Sequence, residues 1–523
     1  MEPNPILLES TWRGNDACRF QVLPNPKEPG CFIARAVVGR SCAADQFCVE
    51  RCRRAMGCKE ISSLQVFIEN EGAPAARLTP GEALSLLPGG IGAACREAVF
   101  APRFEYSIVR PGDTPADPVY PVWVRDIGRS TQVVDGKYAE IVPMSFEFIP
   151  TLNCIYRCHQ CAYREPKEKL GIWARNDFSP EFHMNEATVR TLLTRLKDAG
   201  VLEVLFTGGG EPLLNDATPA GMRYAHDLGL KVGLYTNGAL IDEYNAKAIM
   251  EARPAYVRIS LNAGERRLYY KHHNPLPEQP DVDYFSKSHG ALALLSREKT
   301  RLLSGTVLAV SYLVGPDNAA DVLNGAQLVA ATARAYPGSV GYMRFTPSVD
   351  YFGGQQHPRE VFESAVNLIE TEVAPLLADA GVEARVYSHR FSGLYEPRSY
   401  DKCLAAGWYG GVGPAGVLYW CCEKLFKPPF AFGSLLSDSF GDLWAGPARR
   451  RVAAFVGEAV RGGTVSPCPV VCKPHEHNKV FAKVEKFRER GEIQVVRTWL
   501  TQVHRIVSSN RAGATPRLDG FQS

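Results

Sequence analysis

The sequence predicts an α/β chain whose centre is a partial (β/α)6, TIM-like barrel, and three observations carry that reading. Short apolar runs alternate with helical patterns from about Pro143 to Phe391. Six such βα repeats fit in about 250 residues, the size of a parallel sheet curled into a full or partial barrel. The residue types that carry chemistry recur just after the predicted strands, where barrels collect their active sites.

Before the barrel, residues 1–140 read as an amino-terminal α+β domain. Its strand-like runs are Cys31–Val38, Leu64–Glu69, Glu105–Val109 and Val119–Val124, separated by Pro- and Gly-rich connections. The barrel itself takes residues 141–391. Its predicted strands are Met144–Ile149, Glu203–Thr207, Lys231–Thr236, Tyr256–Leu261, Thr306–Val314 and Gly341–Thr346. In Glu186–Ala199 the apolar residues Val189, Leu192, Leu193 and Leu196 fall at i, i+3, i+4 and i+7, with Gly200 as a cap. Helices are likewise expected over Ile241–Ala252, Ala319–Tyr336 and Glu360–Leu377. Residues 392–478 form a third part, because Tyr400–Asn478 is rich in Gly, Pro and Cys with little periodicity, as in a loop-rich unit held by metal. The remainder, 479–523, reads as a helix over Lys479–Val507 and a polar tail expected to be disordered.

Composition narrows the function classes. The chain has 523 residues, with Lys+Arg 59 against Asp+Glu 56 and a formal charge of +3, which gives no electrostatic case for nucleic acid or a membrane surface. The longest apolar run, of about ten residues around Thr306–Val314, is too short to span a bilayer. The opening MEPNPILLESTWRGND lacks the basic and apolar regions of a signal peptide, so a cytoplasmic location is expected. Of the 15 cysteines, most fall between Cys42 and Cys58, between Cys154 and Cys161, and between Cys403 and Cys472. In a reducing compartment such clusters point to metal ligation or redox chemistry rather than disulfides.

The segment TLNCIYRCHQCAY places Cys154, Cys158 and Cys161 in a CxxxCxxC array after the first barrel strand. Three thiolates on one short loop suit three irons of a 4Fe–4S cluster and leave the fourth iron open. Structural zinc is the alternative and needs a fourth ligand, for which His159 sits awkwardly inside the loop. The run FTGGGEP, at Phe206–Pro212, ends the second strand and lacks dinucleotide-binding spacing; alone it reads equally as a tight turn. Together, strand, CxxxCxxC loop, GGE run and successive βα units resemble the radical S-adenosylmethionine (radical SAM) superfamily.

That resemblance implies a catalytic cluster on Cys154, Cys158 and Cys161, whose open iron is chelated by the amino and carboxylate groups of SAM. It places Gly208, Gly209, Gly210 and Glu211 at SAM, the glycines letting backbone approach the amino group. One departure stands out: Gln160 occupies the position before the third cysteine, where the family usually carries an aromatic residue, with Tyr163 or His159 as substitutes. TNG at Thr236–Gly238 and ISLNA at Ile259–Ala263 end the third and fourth strands. The resemblance sets Asn237, Ser260 and Asn262 at SAM, and turn or cap roles are the alternative. The run Arg266–Pro275, with Tyr269, Lys271, His272 and His273, reads as a solvated helix face that also lies within reach of a substrate. Arg344, on the last barrel strand, is suited to an anionic group.

Downstream, Cys403, Gly416 and Cys421 in a stretch ending GVGPAGVLYWCC resemble the opening of SPASM and twitch domains, with Gly416 at a hairpin turn. Cys468 and Cys472 would complete four thiolates for one auxiliary 4Fe–4S cluster, with Cys422 as the spare. Five cysteines favour the shorter twitch-like form over SPASM, and a zinc knot is the alternative. Cys42, Cys48, Cys52 and Cys58 match no family spacing; Cys48 and Cys52 would share a helix face at i, i+4 and be buried as small apolar residues, with a further metal centre as the remaining option.

The resemblance therefore implies an oxidoreductase or maturase that cleaves SAM reductively to a 5′-deoxyadenosyl radical and takes hydrogen from substrate carbon. A flavodoxin or ferredoxin would supply the electron, and the auxiliary cluster would accept the second electron in an oxidation. The expected substrate is a polar small molecule, sugar- or cyclitol-like. The alternatives are a peptide side chain and, from a different class, a non-catalytic zinc scaffold.

Overall fold

The computed structural model describes the strands of the amino-terminal sheet and residues 126–163, 182–275, 281–349, 357–462, 468–469, 471–494, 496–497 and 500. The chain divides into two compact units, residues 1–137 with 480–523, and residues 138–479.

In the first unit six strands form one antiparallel sheet: β1 (Ile6–Trp12), β2 (Ala17–Pro24), β3 (Phe32–Val38), β4 (Phe47–Cys48), β5 (Ile61–Ile68) and β6 (Ala76–Leu78). Their order is β4-β3-β2-β1-β5-β6. The expected strands near residues 31–38 and 64–69 are present, whereas Glu105–Val109 and Val119–Val124 lie outside the described residues. Cys48 pairs with Ile33 in strand β4, so it does not open the helix expected to share a face with Cys52. Backbone pairing to β3 overrides the i, i+4 reading there. Helix α1 (Ile127–Val134) is capped by Asp126, whose carboxylate accepts the Arg129 N–H. Arg488 donates to the carbonyls of Val133 and Val134, which as the last residues of that helix lack intrahelical donors.

The second unit is built on a ten-stranded sheet in the order β13-β12-β11-β10-β9-β8-β7-β14-β15-β16. Strands β7 (Ser145–Phe148), β8 (Glu203–Phe206), β9 (Lys231–Thr236), β10 (Tyr256–Ser260), β11 (Val307–Val314) and β12 (Val340–Pro347) realise the six predicted ones. They pair in parallel with their sequence neighbours, as right-handed βα crossovers require. The sheet is not closed. Helices α2 (Glu186–Asp198), α3 (Ala217–Asp227), α4 (Glu243–Glu251), α5 (Arg266–His273), α6 (Tyr284–Arg301) and α7 (Val322–Ala335) alternate with these strands. In α2 the four residues of the apolar stripe are fully buried, each worth about 1.5–3 kcal/mol of hydrophobic burial. Asn185 caps that helix by accepting the Thr188 N–H.

Three differences from the sequence reading have physical causes. The helix expected over 360–377 is α8 (Arg359–Leu368), a π turn (Ile369–Val373) and α9 (Ala374–Asp379). Pro375 lacks an N–H and crowds the preceding turn, so the ladder widens ahead of it. Second, the parallel sheet extends past six strands, through β13 (Glu383–Val386) on one side and β14 (Tyr409–Val412) on the other. Strand β14 carried no apolar signal because close packing demands glycine: a Cβ on Gly410 would meet the Phe146 ring at 2.2 Å.

Third, the segment read as loop-rich is more regular than expected. It holds β15 (Val417–Tyr419), β16 (Ala431–Ser434) and the 14-residue helix Pro447–Val460. That helix buries Val452, Val456 and Ala459 at i, i+4 and i+7, and the buried Arg449 continues the stripe one turn earlier, where a charged residue hides it from an apolar count. Gly416 closes the β14–β15 hairpin at φ +71°, as its predicted turn role requires. A helix runs over His475–Glu489, starting earlier than the expected Lys479, and after a turn residues 493–494, 496–497 and 500 are again helical; residues 501–523 lie outside the described residues.

Candidate functional site

The carboxyl ends of strands β7 to β11 surround a cavity of about 240 Å³. Cys154, Cys158 and Cys161 line it together with Gly208–Glu211, Asn237, Ser260 and Asn262. Every residue expected at the catalytic cluster or SAM therefore borders one space. The loop that carries the thiols is held by backbone bonds across the sheet. Gly210 N–H donates to Thr151 O (3.1 Å) and Glu211 N–H to Asn153 O (2.8 Å). Thr151 Oγ1 in turn accepts the Asn153 N–H at 3.1 Å.

These contacts explain why the run after β8 is glycine. A Cβ on Gly210 would sit 2.0 Å from Asn153 O, and one on Gly209 would strike Phe426 at 2.5 Å and Leu152 at 2.6 Å. None of the three has positive φ, so the requirement is steric: the cysteine loop lies directly on this turn. Glu211 is 2% exposed. Its carboxylate accepts the Thr236 hydroxyl (2.6 Å) and the backbone N–H groups of Asn237 (2.8 Å) and Leu213 (3.2 Å). Burial nevertheless pushes its pKa up to about 7, against the pull of those three donors. Glu211 thus ties the end of β8 to the end of β9 while bordering the cavity.

The turn roles weighed for the asparagines are also visible. Asn237 Oδ1 accepts the Ala239 N–H (2.9 Å), and Asn262, at φ +56°, accepts the Leu313 N–H (2.9 Å). His159 is exposed and does not line the cavity, while Gln160 and Tyr163 do. Tyr163 packs edge-on against Phe426, with ring centroids 5.8 Å apart.

Sequence reasoning named His273 as within reach of a substrate but missed Tyr156, Tyr235 and Phe426 among the lining residues. The run Arg266–His273 is not a uniformly solvated face: Tyr269 and His273 are buried. His273 lines the cavity, and its Nδ1 lies 3.6 Å from Cys158 Sγ. Its Nε2 faces Leu261 O at 2.9 Å and donates to that carbonyl, while burial lowers its pKa to about 4. Tyr269 stacks on His273 at 4.2 Å and shares a 2.9 Å hydroxyl contact with Tyr156, another lining residue. Strand alternation marks Tyr235, two residues before Asn237, as a candidate for the same face. For Phe426 the sequence holds no signal; its left-handed backbone, φ +62°, is unusual for a bulky residue.

The carboxy-terminal thiols gather separately. Burial raises the pKa of Cys421 first, and the neighbouring thiols of Cys403, Cys468 and Cys472 add to it, so these four share one neighbourhood. Asn478 Nδ2 donates to Cys403 Sγ at 3.4 Å. Arg398 donates to Val460 O (2.6 Å) and Pro469 O (2.7 Å), fixing the Cys468 loop to the end of helix Pro447–Val460. Burial raises the pKa of Cys422 as well, with Glu147, Glu423 and Cys421 adding to it, and Cys422 in turn acts on Cys472, so it borders the same neighbourhood on the side of Glu147. Cys42, Cys52 and Cys58 lie outside the described residues.

The donor sets suit iron–sulfur clusters: three thiols of one loop border the cavity, and four further thiols share one neighbourhood. In a cubane each thiolate binds a different iron, so the sulfurs surround a volume rather than a point. The glycine turn beside the three thiols leaves room for a ligand at the cavity wall.

Residues 148–281 match the radical SAM superfamily model. Among curated proteins it is similar to the Fe-coproporphyrin III synthase of Methanosarcina barkeri (strain Fusaro / DSM 804), 32% identical over 112 residues, 21% of this chain and 25% of the relative. It is also similar to the S-adenosylmethionine-dependent nucleotide dehydratase of Selenomonas ruminantium, 29% identical over 94 residues, 17% of this chain and 28% of the relative. These matches span about a quarter of the relatives' lengths. Among solved structures, Streptococcus suis SuiB bound to S-adenosylmethionine is 13% identical with TM-score 0.48, covering 79% of this chain and 92% of that one. No helix among the described residues is long and apolar enough to cross a membrane.

Proposed function

We propose that this chain is a radical SAM enzyme that abstracts hydrogen from carbon of a polar substrate and uses a second, closed cluster to assist its oxidation. The observation that carries the reading is the convergence of Cys154, Cys158 and Cys161 with Gly208–Glu211 and the ends of β9 and β10 on one cavity. When bound, the cluster and SAM supply an electron-driven source of the 5′-deoxyadenosyl radical. The chain's own residues do the rest: three thiolates hold the cluster, the glycine turn fixes its loop, and Glu211 locks the adjoining strand ends. Tyr163, Phe426 and Leu425 give the cavity an apolar wall that keeps water from a reactive species. For the auxiliary cluster we assign Cys403, Cys421, Cys468 and Cys472, with Cys422 outside it, on the grouping of their thiols. A flavodoxin or ferredoxin is the proposed reductant.

The proposed substrate is a sugar- or cyclitol-like small molecule. A peptide is the second reading, favoured by the separate amino-terminal unit, whose antiparallel sheet is of the kind that takes an extended peptide at its edge. Anaerobic reconstitution followed by dithionite and SAM tests the enzyme reading. Formation of 5′-deoxyadenosine is expected; bound zinc with intact SAM would overturn it.

A further inference from the structure

The four carboxy-terminal thiols are not served alike by their surroundings. Cys403 lies just before the short helical turn Ala405–Trp408, and its sulfur accepts a hydrogen bond from Asn478 Nδ2 at 3.4 Å. Burial raises the Cys403 thiol, and Asn478, the Trp420 indole and the Ala406 N–H draw it back. At Cys421 and Cys472 the influences that follow burial come from other thiols and from Glu423, and all of them push upward. Hydrogen-bond donors therefore concentrate on one thiol of the four.

Asn478 is held in place from two sides. It stands in the first turn of the helix His475–Glu489, just after Cys472, and its own N–H donates to Pro474 O at 2.9 Å. The residue is 1% exposed, and its Oδ1 accepts the Ala405 N–H at 2.8 Å. A backbone N–H can only donate, so the atom facing it is the amide oxygen and the atom facing the sulfur is the nitrogen. One side chain thus closes the Cys403 turn onto the helix that follows Cys472. Trp420 directly precedes Cys421 and is buried. Its indole Nε1 is without a hydrogen-bond partner at ordinary distance, and Cys403 is the acceptor it acts on. The buried charges nearby, Lys424 and Glu423, act on Cys468 in opposite directions. The donors at Cys403 all act in one.

We propose that Asn478, with Trp420 beside it, is a positioning residue that raises the reduction potential of the auxiliary cluster by hydrogen bonding to the Cys403 sulfur, and so fits that cluster to accept an electron. This rests on the two-cluster reading given above. An added electron spreads negative charge onto the ligand sulfurs, and N–H groups aimed at a sulfur stabilise that charge. Burial strengthens the effect, because water does not compete for the sulfur. The substrate radical of the proposed oxidation loses one electron to this cluster and one proton to solvent. That transfer runs downhill only if the acceptor's potential is high enough.

The test is a redox titration, followed by electron paramagnetic resonance, of the reconstituted full chain carrying Cys158→Ala, in which only the auxiliary irons report. Asn478→Asp keeps the Ala405 bond but sets a carboxylate oxygen where the N–H faced the sulfur. It is expected to retain about four irons, with the ratio of reduced to oxidised cluster at fixed potential falling about tenfold, a shift of about 59 mV to more negative values for a one-electron couple. Trp420→Phe keeps a ring and removes only the N–H, and a shift of about threefold in the same direction is expected. A side chain needed only for folding would cost irons or Tm without moving the potential. The proposal is overturned if both variants keep the parent's potential, if either moves it upward, or if both lose their irons, which would make the two side chains supports of the fold alone. Iron loss in Asn478→Asp by itself leaves the decision to Trp420→Phe. Zinc or no metal in the Cys158→Ala parent would overturn the auxiliary-cluster reading itself, and this proposal with it.

Discussion

The two groups of thiols in the second unit are assembled in opposite ways. Cys154, Cys158 and Cys161 sit on one short loop at the end of β7, and their positions are set by backbone bonds to the neighbouring turn at Gly210 and Glu211. Cys403, Cys421, Cys468 and Cys472 come from three separate stretches, brought together by the β14–β15 hairpin and by Arg398 bridging to the Cys468 loop. The first group borders an open cavity and, in the proposed assignment, offers three ligands; the second would offer four, with Cys421 buried. A loop with three thiols leaves a place for a small molecule, whereas four thiols close a cluster and cross-link the chain. The proposed function thus divides chemistry and architecture between two similar-looking sets of cysteines.

Substitutions within the second group should break this contrast most sharply. Cys421→Ala is expected to lose about four irons per chain and several degrees of Tm, because the loops it joins lose their cross-link. Cys422→Ala, one residue on, should keep the iron content of the wild type if the proposed assignment of Cys421 as the ligand holds, Glu147 being the first charge that acts on Cys422. Iron analysis and unfolding of the two variants side by side measure this. Equal iron loss in both would remove the assignment of Cys421.

The next effect concerns the turn under the first group. Gly210→Ala forces a Cβ to 2.0 Å from the Asn153 carbonyl, a backbone contact that cannot give way cheaply. A loss of about 3 kcal/mol or more is expected in denaturant unfolding, along with weaker cluster retention. A neutral outcome would mean that the cysteine loop does not rest on this turn.

Glu211 gives a smaller, pH-dependent signal. Its pKa is raised to about 7 in the folded chain against 4.5 as the ordinary value. The folded state therefore holds the proton more tightly, and its ionisation penalty is absent below about pH 4.5, grows up to about pH 7 and is complete above it. Glu211→Gln mimics the protonated form, so its stability relative to wild type should improve as pH rises from 5 to 7.5, read as the difference in Tm. A difference that does not change with pH would contradict the burial argument.

The smallest effect serves as a control on the glycine argument. Gly290 lies in helix α6 with nothing within 4 Å of a built Cβ. Gly290→Ala should stabilise by about 0.5–1 kcal/mol, since alanine loses less backbone freedom in a helix. The opposite signs at Gly210 and Gly290 separate steric need from mere presence of glycine.

Much of the barrel was legible because its strands are apolar runs of ordinary length and its helices carry clean stripes, as in Val189, Leu192, Leu193 and Leu196. The thiol loop and the glycine run were legible because they are local. What escaped notice depends on partners distant in sequence. Strand β14 reads as YGGV because the Phe146 ring occupies the space of a side chain, and no pattern in the segment alone reveals that. His273 and Tyr269 sit in a charged run whose periodicity suggests solvent, yet they turn inward against Tyr156. Phe426 reaches the cavity by tertiary placement of a loop. Arg344 was marked from sequence and is buried on β12, outside the cavity lining, while Asn478 became meaningful only with its contacts to Cys403 and Ala405.

The most direct test of the central claim is iron and sulfide counting on anaerobically reconstituted wild type and Cys158→Ala, followed by the dithionite assay with SAM. The account predicts about eight irons and 5′-deoxyadenosine from the wild type, and about four irons with no nucleoside from the variant. Zinc in place of iron, or nucleoside formation that survives Cys158→Ala, would contradict it.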